Sequence, residues 1–224
     1  MTVRSFRYSA SFVLIGLVLS VEASAQDAAP PSLPGAQATT AESTDLRALQ
    51  REFRQLLDAS RWAEALPIAR RLVEVSEGYS LAQRIGARFD LASLMRQLDD
   101  LDGAVLEYNV VISLAGESSD VGAYLGIVHD NIAMIRRAQE QWAAAEAASD
   151  RALEIFEKTV GIRDIHYGAA LNNRAIILSE QGKTVLALEY SERALAVLRE
   201  SFAKDPKALE PFLEDNRRIR ANLR

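Results

Sequence analysis

Residues 131–153 read NIAMIRRAQEQWAAAEAASDRAL, and residues 173–195 read NRAIILSEQGKTVLALEYSERAL. The second segment repeats the first after 42 residues. The identical pairs include Asn131/Asn173, Ala133/Ala175, Gln139/Gln181, Ala145/Ala187, Ser149/Ser191, Arg151/Arg193, Ala152/Ala194 and Leu153/Leu195. A fixed period of this length is typical of solenoids, in which each repeat is one unit stacked on its neighbours. The repeat therefore predicts a scaffold that binds another molecule and carries out no catalysis.

The chain from residue 43 onward has a helical pattern, with few Gly or Pro residues inside the periodic segments and no alternating strand-like run. This helical pattern predicts an all-α fold, a right-handed superhelical α-solenoid of about four helical hairpins with a C-terminal capping helix. The turns within the hairpins are short, so the paired helices are antiparallel. The expected pairs are 43–58 with 61–77, 80–97 with 100–115, 121–139 with 142–159 and 165–181 with 184–202, and the cap is 207–222.

Small residues set the register of this array. Twelve residues separate the first two members of each row, and seven more separate the third: Ala92, Ala104 and Val111; Ala133, Ala145 and Ala152; Ala175, Ala187 and Ala194. Short side chains at these positions allow neighbouring helices to approach closely. The first hairpin departs from the pattern because Phe53 stands where a small residue is expected, and terminal repeats are commonly atypical.

The first 42 residues have a different character. Arg4 and Arg7 precede the apolar run 12–19, and Ala23-Ser24-Ala25 follows it, which is typical of a cleavable secretory signal peptide. The alternative is an uncleaved anchor, although the run is shorter than the ~20 residues that a membrane span needs. Residues 26–42 are rich in Pro and Ala and have almost no large apolar side chains, so we expect a disordered leader.

Composition excludes several classes of function. The net charge of −5 disfavours nucleic-acid binding, which needs clustered Lys and Arg. Cys is absent, and His129 and His166 have no partners at the spacing of a metal site, so we expect neither a metal nor a cofactor. No phosphate-binding loop or nucleophile motif occurs, so we expect that the protein is not an enzyme.

The residues that carry a family resemblance are concentrated in the last hairpin. They are Leu171-Asn172-Asn173-Arg174-Ala175, Gln181-Gly182-Lys183, Ala187-Leu188-Glu189 and Arg193-Ala194-Leu195. These residues and the spacings of twelve and seven resemble tetratricopeptide repeats, and the 42-residue period resembles the longer kinesin-light-chain subtype found in many bacterial proteins. Asp164-Ile165 departs from the His-Pro that is usual there. The resemblance covers residues 43–224 and implies a protein-interaction scaffold with no catalytic residue.

The resemblance also implies that the first helix of each hairpin lines a concave groove, where an Asn often contacts the backbone of a bound peptide. Three columns of groove candidates follow: Asp90, Asn131 and Asn173; Asp130 and Asn172; and Arg96 and Arg137, with Ser179 at the next equivalent position. An amide matches both the C=O and the N–H of an extended peptide, and paired Arg side chains can bind a carboxylate. Alternatively, these residues are solvated, or the Asn side chains join neighbouring helices.

We therefore expect a periplasmic or secreted, non-catalytic scaffold of the cell envelope that binds a peptide or helix of a partner in its groove. We expect no nucleic-acid partner and no stable membrane span after signal cleavage. The alternative is a structural component that self-associates as a homo-oligomer in an envelope assembly.

Overall fold

The computed structural model describes residues 40–116 and 121–223, with side chains from residue 45 onward. The predicted signal peptide and almost all of the predicted leader lie outside the described residues. The described chain is helical, and its α-helices are α1 (Thr40–Asp58), α2 (Trp62–Ser76), α3 (Leu81–Gln97), α4 (Leu101–Ala115), α5 (Gly122–Ala138), α6 (Trp142–Thr159), α7 (Ile165–Glu180), α8 (Thr184–Ser201) and α9 (Glu210–Ala221). A short 3₁₀ helix, Pro206–Leu209, leads into α9. The expectation of an all-α repeat solenoid is confirmed.

The helix boundaries lie within three residues of those expected from the sequence. The two larger differences are at the ends. Helix α1 begins at Thr40, so the last residues of the predicted leader belong to the helix. The predicted cap divides into the 3₁₀ helix and α9, and Pro211 stands in the first turn of α9, where a missing N–H costs little.

Two compact units divide the chain at Gln139. The N-terminal unit contains α1–α5, in which each helix packs on the next one along the chain. The C-terminal unit contains α6–α9, in which α7 packs on α6 and α8, and α9 packs on both α7 and α8.

The predicted small-residue positions form the centre of each unit. Their side chains are fully buried, with 0% exposure at Ala92, Ala104, Val111, Ala133, Ala145, Ala152, Ala175, Ala187 and Ala194. Phe53, which replaces a small residue in α1, is buried too. At Gly168 of α7, an added Cβ would lie 2.9 Å from Leu198 of α8, so these helices approach as closely as a glycine permits. Larger apolar side chains fill the remaining seams, and each contributes about 1.5–3 kcal/mol when fully buried.

The four short turns share one backbone feature, a residue with positive φ just after the first helix. These residues are Ser60 (φ 55°), Asp99 (φ 67°), Glu140 (φ 57°) and Gly182 (φ 76°). The left-handed conformation reverses the chain within two or three residues, and only glycine adopts it without steric cost.

Candidate functional site: polar side chains on the first helices of the hairpins

Asp90 is the most unusual of the predicted groove residues. It is half-buried near the middle of α3, and no hydrogen bond or ion pair from another described residue reaches its carboxylate. Burial raises the pKa of the Asp90 carboxyl from 3.8 to about 7, against the opposing attraction of the Arg54 guanidinium on α1. A carboxyl group that is desolvated without compensating hydrogen bonds is unusual in a purely structural position.

Two tyrosines on the following helices, Tyr108 and Tyr124, are within electrostatic range of Asp90. The charge of Asp90 and burial together raise the pKa of Tyr124 on α5, and burial raises the pKa of Tyr108 on α4. Phe89 lies next to both rings, with centroids 5.7 Å from Tyr108 and 6.0 Å from Tyr124, the latter edge-on. The Tyr108 hydroxyl is 3.0 Å from Ser93 Oγ and also bonds to Arg96. The N-terminal unit therefore places an acidic group beside aromatic faces.

The other predicted residues of this unit differ in accessibility. Asn131 is 7% exposed and Arg137 is 9% exposed, so both side chains are largely inside α5's packing. Arg96 and Asp130 are half-buried. The structure thus supports neither a solvated ladder of Asn side chains nor a pair of fully open Arg side chains. Asp90, Arg96 and Asp130 are therefore the more accessible of the predicted groove residues in this unit.

The two Asn side chains of the C-terminal unit have buried surroundings. Asn173 is 6% exposed. Asn172 is 1% exposed, and its Nδ2 donates a 2.9 Å hydrogen bond to Oδ2 of Asp215 in α9. The capping helix therefore covers Asn172 and occupies its amide donor, and partner binding at this position stays a prediction.

Helix α9 is held on α7 and α8 by a set of polar contacts. Asn216 donates to Ser191 Oγ at 2.9 Å, Asn222 donates to Ser179 Oγ at 3.3 Å, and Arg220 donates to Glu192 at 2.6 Å. Ser179 occupies the same repeat position as Arg96 and Arg137, so the cap takes up a predicted groove position as well. Burial raises the pKa of Asp215, against the hydrogen bond from Asn172 and the charge of Arg218. The partners of these groups lie within the protein.

A second charged cluster of the C-terminal unit also forms its ion pairs within the protein. Arg174 of α7 is 7% exposed and pairs with Glu146 and Asp150 of α6, each at 3.1 Å. Lys183 shares Glu146 at 2.6 Å. These contacts join α6 to α7 and to the start of α8, so the cluster is best explained as packing between helices.

Sequence reasoning missed Arg54, Tyr108 and Tyr124 as neighbours of Asp90. The repeat relates residues at equivalent positions, 41 or 42 residues apart. The neighbours of Asp90 come from other positions of other helices, so the repeat does not reveal them. The signal that could have indicated the site is the Asp itself, which stands where the later repeats have Asn.

The described residues contain neither a candidate metal site nor a candidate membrane-spanning helix. Within residues 40–116 and 121–223, no three His, Cys, Asp or Glu side chains group as they would around a metal ion. None of the helices in this part of the chain combines the length and the apolar character that a membrane crossing requires.

Comparison with known proteins shows which sequences and structures this chain is similar to. Residues 124–200 match the model of the tetratricopeptide repeat family. Crystal structures of BtubC (BKLC) from P. vanneervenii and of the nearly identical TPR-like repeats of a kinesin-light-chain-type protein from Podosopora anserina have the same fold. The first is 18% identical, with a TM-score of 0.59 over 83% of this chain and 93% of that one. The second is 17% identical, with a TM-score of 0.57 over 80% of this chain and 97% of that one. No curated protein matches the chain.

The expected resemblance is thus confirmed: residues 124–200 match the tetratricopeptide repeat family, and the fold is similar to that of kinesin-light-chain-like repeat proteins. Such repeats are generally modules of protein–protein interaction.

Proposed function

We propose that this protein is a non-catalytic adaptor that binds a peptide or helix of another protein on the first helices of its hairpins. The observation that supports the proposal is the set of acidic, basic and amide side chains at buried or half-buried positions of α3 and α5. These are Asp90, Arg96, Asp130, Asn131 and Arg137. Withdrawing such groups from water is costly, so charged and amide side chains on these first helices are candidates for polar contacts with a bound partner.

We propose further that the adaptor works in the cell envelope, which rests on the sequence of residues 1–25. A fusion of these residues to alkaline phosphatase, an enzyme that needs its disulfides, should be active in intact bacteria. The matched control carries Leu14→Lys and Leu17→Lys, which interrupt the apolar run and should abolish the activity. Equal activity of the two fusions would contradict export.

Binding through α5 is tested with a pair of asparagines. Asn131→Ala removes a candidate contact on the first helix of a hairpin, and Asn109→Ala removes an exposed asparagine from α4, a second helix. Each full chain is expressed in its own cells, crosslinked and purified, and the co-purified proteins are quantified against the wild type. Proteins that Asn131→Ala loses and Asn109→Ala retains are partners of this surface. Thermal melting of each purified variant checks that the fold is kept.

Equal recovery of all partners by the two variants would contradict binding through α5. Light scattering of the purified chain addresses self-association. A monomer over the micromolar range would exclude a self-assembling component, whereas a concentration-dependent oligomer that persists in Asn131→Ala would favour it over the adaptor.

A further inference from the structure

The Asp90 carboxylate has the properties of an unfilled hydrogen-bond acceptor. It is half-buried, and no described donor is bonded to it, whereas the guanidinium groups of Arg88 on α3 and Arg136 on α5 form hydrogen bonds. Arg54 of α1 attracts it only through space, without an ion pair within 4.0 Å. Arg54 is itself exposed, so its guanidinium is solvated and compensates little for the burial of the carboxylate.

The neighbouring surface is aromatic. Tyr124 is half-buried, and its ring lies 6.0 Å from the ring of Phe89, the residue before Asp90, at an interplanar angle of 89°. The charge of Asp90 contributes to the raised pKa of Tyr124, in agreement with this contact. An aromatic face attracts a cation through its quadrupole, and an adjacent carboxylate adds a charge-assisted hydrogen bond. The aromatic ring and the carboxylate therefore both favour a cation that can donate hydrogen bonds.

We propose that Asp90 and Tyr124 form a subsite for a Lys or Arg side chain of the bound partner, an inference that rests on the proposed function. An acidic partner residue is disfavoured here, because Asp90 would repel it and the nearby Arg96 is already bonded to the Tyr108 hydroxyl. A neutral donor would satisfy the hydrogen bond but not the charge. The net charge of −5 also favours the approach of a basic peptide.

The subsite is tested without assuming a sequence for the partner. A display library of random twelve-residue peptides is selected on the immobilised full chain, and the selected peptides are synthesised and titrated in solution by fluorescence anisotropy. We expect most selected peptides to carry a Lys or Arg whose replacement by Gln weakens binding about tenfold or more, the range of a charge-assisted hydrogen bond.

Two variants of the chain give effects of opposite sign. Asp90→Asn keeps the shape and removes the charge, so these peptides should bind about tenfold more weakly, whereas Asp58→Asn at the exposed end of α1 should leave binding unchanged. Arg54→Gln removes a cation that competes for Asp90, so the same peptides should bind about two- to fivefold more tightly. Arg51→Gln, exposed one turn earlier on α1, is its control.

The outcomes separate the two proposals. Selected peptides that lose affinity with Asn131→Ala but carry no conserved cation, or are indifferent to Asp90→Asn, overturn the subsite and leave the adaptor intact. Weaker binding with Arg54→Gln also overturns the subsite, because that result would show that Arg54 binds an anionic group of the peptide. Peptides that are insensitive to every change on α1, α3 and α5 overturn the adaptor proposal itself.

Discussion

The two units of the molecule treat their polar residues differently. In the C-terminal unit, Asn172 and Asp215 are both buried and bonded to each other at 2.9 Å. In the N-terminal unit, Asp90 is half-buried and no described donor satisfies it. A buried hydrogen bond between two helices specifies how they dock, whereas a desolvated carboxylate that no described residue bonds is a candidate for binding. The same repeat thus yields a closed face where the cap lies and an accessible acidic subsite on α3.

The largest expected effect concerns the closed face. Phe212 of α9 is buried and stacks on Phe202 at 6.1 Å. Phe212→Ala should lower the free energy of unfolding by about 3–5 kcal/mol, because a large side chain leaves a cavity. Urea denaturation followed by circular dichroism measures this change. Leu213→Ala, at a half-buried neighbour, should cost less, and equal losses would show that α9 is not anchored through Phe212.

The polar contact beneath the cap should have the next largest effect. Asn172→Ala leaves the carboxylate of Asp215 buried without its amide donor, so the free energy of unfolding should fall by about 1–3 kcal/mol. Asn109→Ala, at an exposed position of α4, serves as the control in the same urea titration. If the two variants have equal stability, Asn172 does not hold the cap.

Removing the charge of Asp90 should increase the free energy of unfolding, unlike the two changes above. A carboxyl whose folded-state pKa is raised, here from 3.8 to about 7, contributes stability that is fully present below about pH 4 and lost as pH rises through 7. Asp90→Asn should therefore stabilise the protein by roughly 1–2 kcal/mol at pH 8. The gain should shrink as pH falls from 7 towards 4. A gain that is independent of pH would contradict desolvation as its cause.

The smallest effects concern the turns, where the two units again differ. The N-terminal unit has Ser60 at φ 55°, and the C-terminal unit has Gly182 at φ 76°. Ser60→Gly should raise the free energy of unfolding by about 1 kcal/mol, and Gly182→Ala should lower it by a similar amount. Thermal melting detects both changes, and shifts of the same sign would contradict the left-handed geometry.

Much of the fold could be predicted from the sequence because its signals are local and periodic. The column Ala92, Ala133 and Ala175 located the centre of the packing, and all three side chains are fully buried. The short turns located the helix ends for the same reason. These features depend on neighbours in the sequence or on the fixed 42-residue step.

The candidate site could be predicted only in part, because its character depends on contacts that the repeat does not encode. Asn172 and Asn173 are adjacent in sequence, but successive residues of a helix point about 100° apart. One of them therefore bonds to the cap, which no other repeat possesses. From the sequence, Asp90 is only an exception among the Asn residues at this repeat position. Its surroundings in the structure, Arg54 on α1 and Tyr124 on α5, are what indicate a separate subsite.

The central claim is that the Asp90 carboxylate is desolvated and that no residue of the described ranges 40–116 and 121–223 bonds to it. Carboxyl ¹³C NMR of the full chain, titrated from pH 3 to 9 with the resonance assigned through Asp90→Asn, tests it directly. The structure predicts a pKa of about 7 for this carboxyl. A pKa near the ordinary value of 3.8 would contradict the claim and remove the basis of the acidic subsite.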